Sequence, residues 1–449
     1  MEEGNTAQRR FLLKAGIIVG SGGLIFGYDI GVIAGTLSKL GDVFVLSSYE
    51  EGLVVAILYV GSILGSIVGG PLCDYLGRWK TIHLQNILFI VGSFITGFAT
   101  NIGMLCVGRF IVGIASAVSG IADVPYLNEI SPPAYRGILS SQYEMAVSIG
   151  VLISFAVALA LSGWDYGWRV AFLIPSVAAF FQSMGMFFLP ESPRWLLEKG
   201  YLEKTYNVLC EIYGESFLTH CMSLPRESEK VPPEVKDFLR AYDRANRMKA
   251  LTSAAQNQPI EESYQANFKE NDTKKAKVAT VVVIDEGKWN QADESGLQKS
   301  HGHSEHFQSA GAPNSLHGSA ALRALFQKEE NVLKQFSYPI YLIIVIQVLA
   351  QITGGNVIRN YAPTIFENGG VSTTLSLIFN LLFGVVKAVF TLVSILYIDR
   401  TGRLTLLVYG IVLVGVGMLF LAICSLASPS GNISNVPAFV VGCALVYAG

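Results

Sequence analysis

Long apolar stretches recur along the whole chain, and they restrict its fold more than any other feature. A helix needs about 20 mostly apolar residues to cross the hydrocarbon core of a bilayer. Nine such stretches lie near residues 11–36, 52–72, 81–99, 103–127, 138–161, 168–189, 338–361, 374–397 and 404–427, and a tenth begins near 437. Because a membrane-spanning segment must satisfy its own backbone hydrogen bonds, the sequence predicts an all-α membrane protein.

Composition agrees with a protein that lies in a lipid bilayer. Of the 449 residues, 51% are hydrophobic and only 15% are charged, whereas a soluble domain has about 25% charged residues. The net charge of −2 gives no reason to expect nucleic acid as a partner. The sequence has neither a nucleophile–base set nor a metal-ligand spacing among its six cysteines. We therefore expect no enzyme, no cofactor and no metal site.

The distribution of basic residues predicts the orientation in the membrane. Lys and Arg precede the first span and follow the second, fourth and eighth spans, whereas the opposite loops are poorer in them. Since cytoplasmic loops carry the excess of Lys and Arg, we expect a multi-pass membrane protein with a cytoplasmic N-terminus. We expect its membrane to be the plasma membrane.

A long polar interval divides the chain into three parts. We expect an N-terminal six-helix lobe over residues 1–194, and cytoplasmic helices with a mostly disordered polar insert over 195–335. A C-terminal lobe follows over 336–449. The most polar part of the insert, 222–318, has the composition of a disordered segment, and its partner is unknown.

The two lobes share a sequence motif. Asp74-Tyr-Leu-Gly77-Arg78 follows the second span, and Asp399-Arg-Thr-Gly402-Arg403 follows the eighth. If the seventh span begins the second lobe, the two motifs occupy equivalent turns, as a parallel repeat of six-helix halves would place them.

The first span carries an acid among glycines. Asp29 lies in a segment where Gly23, Gly27, Gly31 and Gly35 recur every four residues and form a stripe of small residues on one helix face. Such a stripe lets another helix approach closely. A charged side chain at the bilayer centre costs about 2.5–3.5 kcal/mol on insertion scales, so Asp29 is a candidate functional residue. The alternative is an acid that only caps a neighbouring helix or faces a wet crevice.

Several motifs in order resemble the sugar porter family of the major facilitator superfamily, which includes the animal facilitative glucose transporters. Besides the two repeated turns, they are Gly108-Arg109-Phe110, Tyr126-Leu-Asn-Glu129-Ile-Ser-Pro132, Pro190-Glu-Ser-Pro-Arg-Trp195 and Gln351-Ile-Thr-Gly354-Gly-Asn356. The resemblance covers nearly all of the chain except the polar insert. It implies transport of a hexose or a related sugar or polyol by alternating access.

The resemblance also implies which residues bind the substrate. Gln351 and Asn356, five apart across a Thr-Gly-Gly break, would contact the sugar; the alternative is a pair of amides that only bridges two helices. Glu144 and Lys387 stand where the family usually has Gln and Asn, as in the divergent animal branch that includes glucose transporter members ten and twelve. We expect these two residues to face one cavity, to neutralise each other and to contact the substrate. Alternatively, Lys387 snorkels or pairs elsewhere.

Further roles follow from the same resemblance. Asp29 and Arg109 would form a pair that couples transport to protons, and simple facilitation is the alternative. A group of charged and aromatic residues would gate the two entrances: Asp74, Arg78, Glu129, Arg136, Tyr361, Asp399 and Arg403.

The family has twelve spans, and this chain ends within its tenth predicted span. We therefore expect an incomplete C-terminal lobe, truncated within span ten, that folds poorly alone and transports little unless the natural product is longer. Two other functions stay open at this point. One is a sugar-sensing, transporter-like receptor that signals through the cytoplasmic insert, and the other is a non-functional truncated carrier.

Overall fold

The computed structural model describes residues 2–224, 231–256, 337–338, 341–349, 351–352, 354–426 and 436–448, and within these ranges every regular element is a helix. The helices are α1 (Glu2–Phe44), α2 (Ser48–Leu76), α3 (Arg78–Gly97), α4 (Ile102–Ile130), α5 (Arg136–Leu161), α6 (Gly167–Met186), α7 (Pro193–Glu198), α8 (Leu202–Tyr213), α9 (Glu215–Ser223), α10 (Pro233–Gln256), α11 (Gly355–Asn368), α12 (Thr373–Thr401), α13 (Arg403–Leu426) and α14 (Val436–Ala448). The all-α prediction is confirmed. Most of the predicted insert lies outside the described residues.

The chain forms two compact units, Met1–Phe238 with Gln347–Gly449, and Leu239–Ile346. The first unit contains α1–α9 and α11–α14. The described part of the second unit is helical, with the end of α10 and residues 341–346.

Seven of the described helices are long and apolar enough to cross a membrane: α1, α2, α4, α5, α6, α12 and α13. Helix α3 coincides with the third predicted span, but it is not among the seven. Its inward face is polar, with Thr81, Gln85, Asn86 and Ser93 all buried. The seventh predicted span falls partly on residues outside the described ranges; residues 341–349 are helical, and α11 begins at Gly355.

The glycine stripe of α1 packs closely against another helix, as the sequence predicts, and that helix is α5. A Cβ added at Gly27 would collide with the backbone carbonyl of Val147, and one at Gly31 would collide with Ser154. From the other side, Gly150 of α5 leaves no room for a Cβ against the backbone of α1. Because lipid supplies no hydrophobic drive between helices, this close backbone approach holds the two helices together by van der Waals contact.

The repeated motif has the same backbone conformation in both lobes. Gly77, between α2 and α3, has φ +92°, and Gly402, between α12 and α13, has φ +81°. Positive φ strains any residue with a Cβ, so each turn requires glycine. This similarity supports the internal repeat.

The two lobes meet along α5 and α12, which run antiparallel. The Ser148 hydroxyl lies 2.8 Å from the Thr391 hydroxyl, and Gly384 of α12 packs against Phe155 of α5. An apolar cluster continues from this contact, in which Phe155 meets Phe383 and Tyr447 of the second lobe. The cavity described below opens beside this seam.

Replacing Gly27 with alanine tests the packing of α1 on α5. We expect Gly27→Ala to lower the free energy of unfolding by about 1–3 kcal/mol, because the added methyl group overpacks a backbone contact. The apparent melting temperature of detergent-purified protein measures it. Gly20→Ala is the matched control, since the nearest atom to its Cβ would be 3.9 Å away. Equal melting temperatures for the two variants would contradict this account.

Candidate functional site

A helix break in the second lobe brings two amide side chains together. Gly354 has φ +76° and caps the start of α11, and its N–H bonds to the carbonyl of Gln351 at 3.2 Å. Across this break the Asn356 Nδ2 donates to the Gln351 Oε1 at 2.6 Å. The structure therefore places the two amides side by side.

On the side of the membrane where α1 ends, predicted to be the outer side, the second lobe contacts the first. The Asn360 Nδ2 of α11 donates to the Tyr59 hydroxyl of α2 at 3.0 Å. The Tyr361 hydroxyl lies beside Gly52, and its ring packs against the cluster that contains Leu40 and Val54. Tyr361 therefore lies at the outer contact between the lobes, where a gating residue is expected.

On the predicted cytoplasmic side, the lobes enclose a cavity of about 1370 Å³. Glu144 and Arg136 of α5 line it from the first lobe, and Ile395 and Ile398 of α12 line it from the second. Glu234 of α10 closes part of its rim. The outer ends of the lobes are in contact, and this cavity lies between their inner ends. The space between the lobes is therefore wider on the predicted cytoplasmic side.

Glu144 and Lys387 approach the same interface at different depths. Each lies one helical turn from the Ser148–Thr391 contact, but on opposite sides of it because α5 and α12 are antiparallel. Eight residues at a rise of 1.5 Å separate the two levels by about 12 Å. Glu144 and Lys387 still interact electrostatically, but no ion pair within 4.0 Å joins them among the described side chains. Their mutual neutralisation stays a prediction.

Asp29 and Arg109 are both buried in the first lobe, each with 2% of its surface exposed. The opposite charges of Asp29 and Arg109 attract each other, but the described structure has no ion pair between them within 4.0 Å. The Asp29 Oδ2 and the Arg109 Nε have no hydrogen-bond partner, and the guanidinium lies 5.7 Å from the Phe172 ring centroid. The two groups form an incompletely paired charge site within the membrane.

A second buried acid, Asp123 of α4, was not predicted. Its carboxylate accepts hydrogen bonds from Gln85 of α3 at 3.0 and 3.1 Å and from Ser119 at 2.6 Å, and Gln182 of α6 also donates to it. Gly22 of α1 leaves no room for a Cβ beside it. An acid within an apolar span was the signal that identified Asp29, and it applies equally to Asp123. These donors indicate that Asp123 fastens α3, α4 and α6 together.

The predicted gating charges of the first lobe form two groups at the helix ends on the predicted cytoplasmic side. Arg78 pairs with Glu129 at 3.0 Å and with Asp74 at 3.3 Å, and Ser192 donates to Glu129 at 2.5 Å. Arg136 pairs with Glu234 of α10. All these partners lie outside the second lobe. The side chains of Asp399 and Arg403 lie outside those that the structure describes.

Glu191 supports the Arg78–Glu129 group from the loop before α7. Its carboxylate accepts from the backbone N–H of Trp79 at 3.0 Å and from that of Ser192 at 2.8 Å. Burial raises the pKa of the Glu191 carboxyl, and the backbone donors and Arg78 partly offset that rise. The loop is thus pinned to the turn between α2 and α3.

The sequence matches the family described as "Sugar (and other) transporter" over residues 15–261 and 274–449. The glucose transporter GlcP of Staphylococcus epidermidis is 39% identical over 196 residues, which cover 43% of this chain and 44% of GlcP. The facilitated glucose transporter member 12 of Xenopus laevis is 30% identical over 240 residues, which cover 54% of this chain and 41% of that protein. The chain thus spans less than half the length of these two relatives.

Among solved structures, a partially occluded inward-open conformation of the xylose transporter XylE from E. coli superimposes with a TM-score of 0.65. It covers 98% of this chain and 84% of that chain at 19% identity, so the similarity concerns the fold alone. These relatives are transporters, and the prediction that the chain is not an enzyme is confirmed.

The Arg78–Glu129 pair can be tested through its contribution to stability. We expect Arg78→Gln to lower the free energy of unfolding by about 1–3 kcal/mol, because it leaves a largely buried carboxylate without its cation. Adding Glu129→Gln should restore part of the loss. Melting temperatures of purified protein measure both effects. Arg194→Gln is the control, since the Arg194–Glu198 pair is largely exposed and should contribute little. A loss no larger than that of the control would disprove the role of the pair.

Proposed function

Because the chain belongs to the sugar (and other) transporter family of the major facilitator superfamily, we propose that it carries a hexose or a related sugar or polyol across a membrane by alternating access. The observation that best supports this proposal is the amide pair of Gln351 and Asn356 at the helix break of the second lobe. We propose that the protein lies in the plasma membrane. Its N-terminus would be cytoplasmic, as the basic loops predict.

The chemistry of the amide pair suits a sugar. In the bond between them, Asn356 uses one amide donor and Gln351 one carbonyl acceptor. The Gln351 amide nitrogen and the Asn356 carbonyl oxygen therefore have capacity for a ligand. A sugar hydroxyl both donates and accepts a hydrogen bond, so neighbouring hydroxyls match this remaining donor and acceptor.

The contacts at the two sides suggest how access alternates. The outer contact consists of the Asn360–Tyr59 hydrogen bond and the packing of Tyr361, whereas the inner charges pair within the first lobe and with α10. Opening the outer side requires the loss of the neutral Asn360–Tyr59 bond. Closing the inner side would bring the second lobe toward the charged helix ends that surround the cavity.

Tracer uptake by the full-length chain in reconstituted vesicles tests the transport proposal. We expect saturable hexose uptake, and Asn356→Ala should raise the half-saturation concentration about two- to tenfold through the loss of one hydrogen bond. Asn207→Ala, on the exposed surface of α8, is the control and should leave uptake unchanged. Sugar binding without any uptake would reject the carrier and favour the sugar sensor.

We also propose that transport is coupled to protons through Asp29. This acid is buried, and the described side chains place no cation within 4.0 Å of it, so an incompletely paired carboxylate inside a membrane helix is a candidate for proton exchange. Protonation of Asp29 would weaken its attraction to Arg109. A change of charge between α1 and α4 could in this way be linked to movement of the first lobe.

An imposed proton gradient tests the coupling. Sugar influx into vesicles should rise when an inward proton gradient is applied, and Asp29→Asn should abolish that rise while the uptake at equal pH remains. The Asn side chain keeps the size of Asp29 and removes its titration. Influx of the unmodified protein that does not respond to the gradient would exclude coupling.

A further inference from the structure

Two basic side chains of the second lobe have no acidic partner in contact with them. Arg359 lies on α11 and Lys387 on α12, and their charges act on one another. The described structure contains no ion pair within 4.0 Å for either residue. The Arg359 Nε is also buried without a hydrogen-bond partner. Like charges placed together in a membrane raise each other's energy, so this arrangement calls for an anion.

Arg359 shares a helix face with Asn356 of the candidate sugar site, and Lys387 lies one helical turn from the seam contact between the lobes. Arg359 follows Asn356 by three residues, and residues three apart share a helix face. Lys387 precedes Thr391 by four residues, and Thr391 contacts Ser148 at the seam between the lobes. The hydroxyl of Tyr447 donates to the Arg359 carbonyl at 3.0 Å and steadies this turn of α11. Both cationic side chains are half-buried in the second lobe.

The acids around this pair supply at most one compensating charge. Glu144 of α5 acts on Lys387, but it lies about two helical turns away along the seam, or about 12 Å. Glu367 is on α11, eight residues beyond Arg359, and lines a different, outer cavity. With Arg359 and Lys387 each contributing +1 and Glu144 −1, the local charge is +1.

We propose that Arg359 and Lys387 bind a carboxylate of the cargo, so that the preferred substrate is a sugar acid with a single negative charge, of the hexuronate class. The inference rests on the proposed transport function and specifies its substrate. One carboxylate restores neutrality, and the guanidinium presents paired donors that match the two oxygens of a carboxylate. The neighbouring amides of Gln351 and Asn356 take the sugar hydroxyls.

The charge balance also distinguishes between anionic sugars. A hexose phosphate carries nearly two negative charges at neutral pH, and with Glu144 nearby it would leave the site with a net negative charge. A neutral hexose would leave the local charge at +1. A monocarboxylate therefore fits better than either.

Ligand binding and uptake are measured separately with the full-length chain. For binding, the shift in melting temperature of detergent-purified protein is followed with D-glucuronate, D-glucose and D-glucose 6-phosphate. For uptake, the same labelled compounds are offered to reconstituted vesicles. We expect glucuronate to bind most tightly. Arg359→Gln and, independently, Lys387→Asn should each weaken glucuronate binding at least about tenfold, since each removes a charge-assisted hydrogen bond. Arg359→Gln should also change glucose binding little.

Two further variants control for misfolding and for non-specific charge effects. Arg359→Lys keeps the charge and should retain part of the glucuronate affinity. Lys204→Gln removes a cation from the surface of α8 and should leave glucuronate affinity unchanged.

The outcomes separate this inference from the transport proposal. Uptake of glucose without any binding of glucuronate would overturn the sugar-acid inference and leave the carrier intact. Tighter binding of glucose 6-phosphate than of glucuronate would also overturn it. Glucuronate binding that depends on Arg359, without uptake of any compound, would support the anion site and reject the carrier.

Discussion

The cost of placing polar groups in hydrocarbon governs this structure. A soluble protein can leave a charge to water, but a membrane helix must pair it, protonate it or turn it toward a cavity. Asp123 is paired with neutral groups: amide and hydroxyl donors from three helices surround its carboxylate. Four other charged residues have no ion pair within 4.0 Å among the described side chains: Asp29, Arg109, Arg359 and Lys387. This difference separates a structural acid from candidate working residues.

Local patterns in the sequence were sufficient for much of the fold. Apolar length predicts the helices, the four-residue glycine spacing predicts the close approach of another helix to α1, and the repeated motif predicts equivalent turns at Gly77 and Gly402. Each of these properties depends on residues close together in the chain. The helix break beside Gln351 belongs to the same class, since a Gly-Gly pair is visible without any tertiary information.

The candidate site was less predictable because it depends on how two distant helices slide against one another. The resemblance implies that Glu144 and Lys387 face one cavity, but the antiparallel register of α5 on α12 puts them about two turns apart. A shift of one turn changes every cross-lobe neighbour, and no local pattern encodes it. Asn360 is a similar case. Only the structure reveals the bond from Asn360 to Tyr59.

The unequal contacts at the two sides imply where energy must be supplied during a transport cycle. The outer side is held by a neutral hydrogen bond and apolar packing, which a moderate rearrangement can replace with water. At the inner side, Arg136 already has an acidic partner in α10 and Glu129 has a basic partner in α3, so closure must offer each an alternative of similar strength. Neutralising Arg359 and Lys387 with an anion would remove repulsion at the seam between these two sides. Substrate charge and lobe movement would then be linked through one interface, because the same α5–α12 contact carries both.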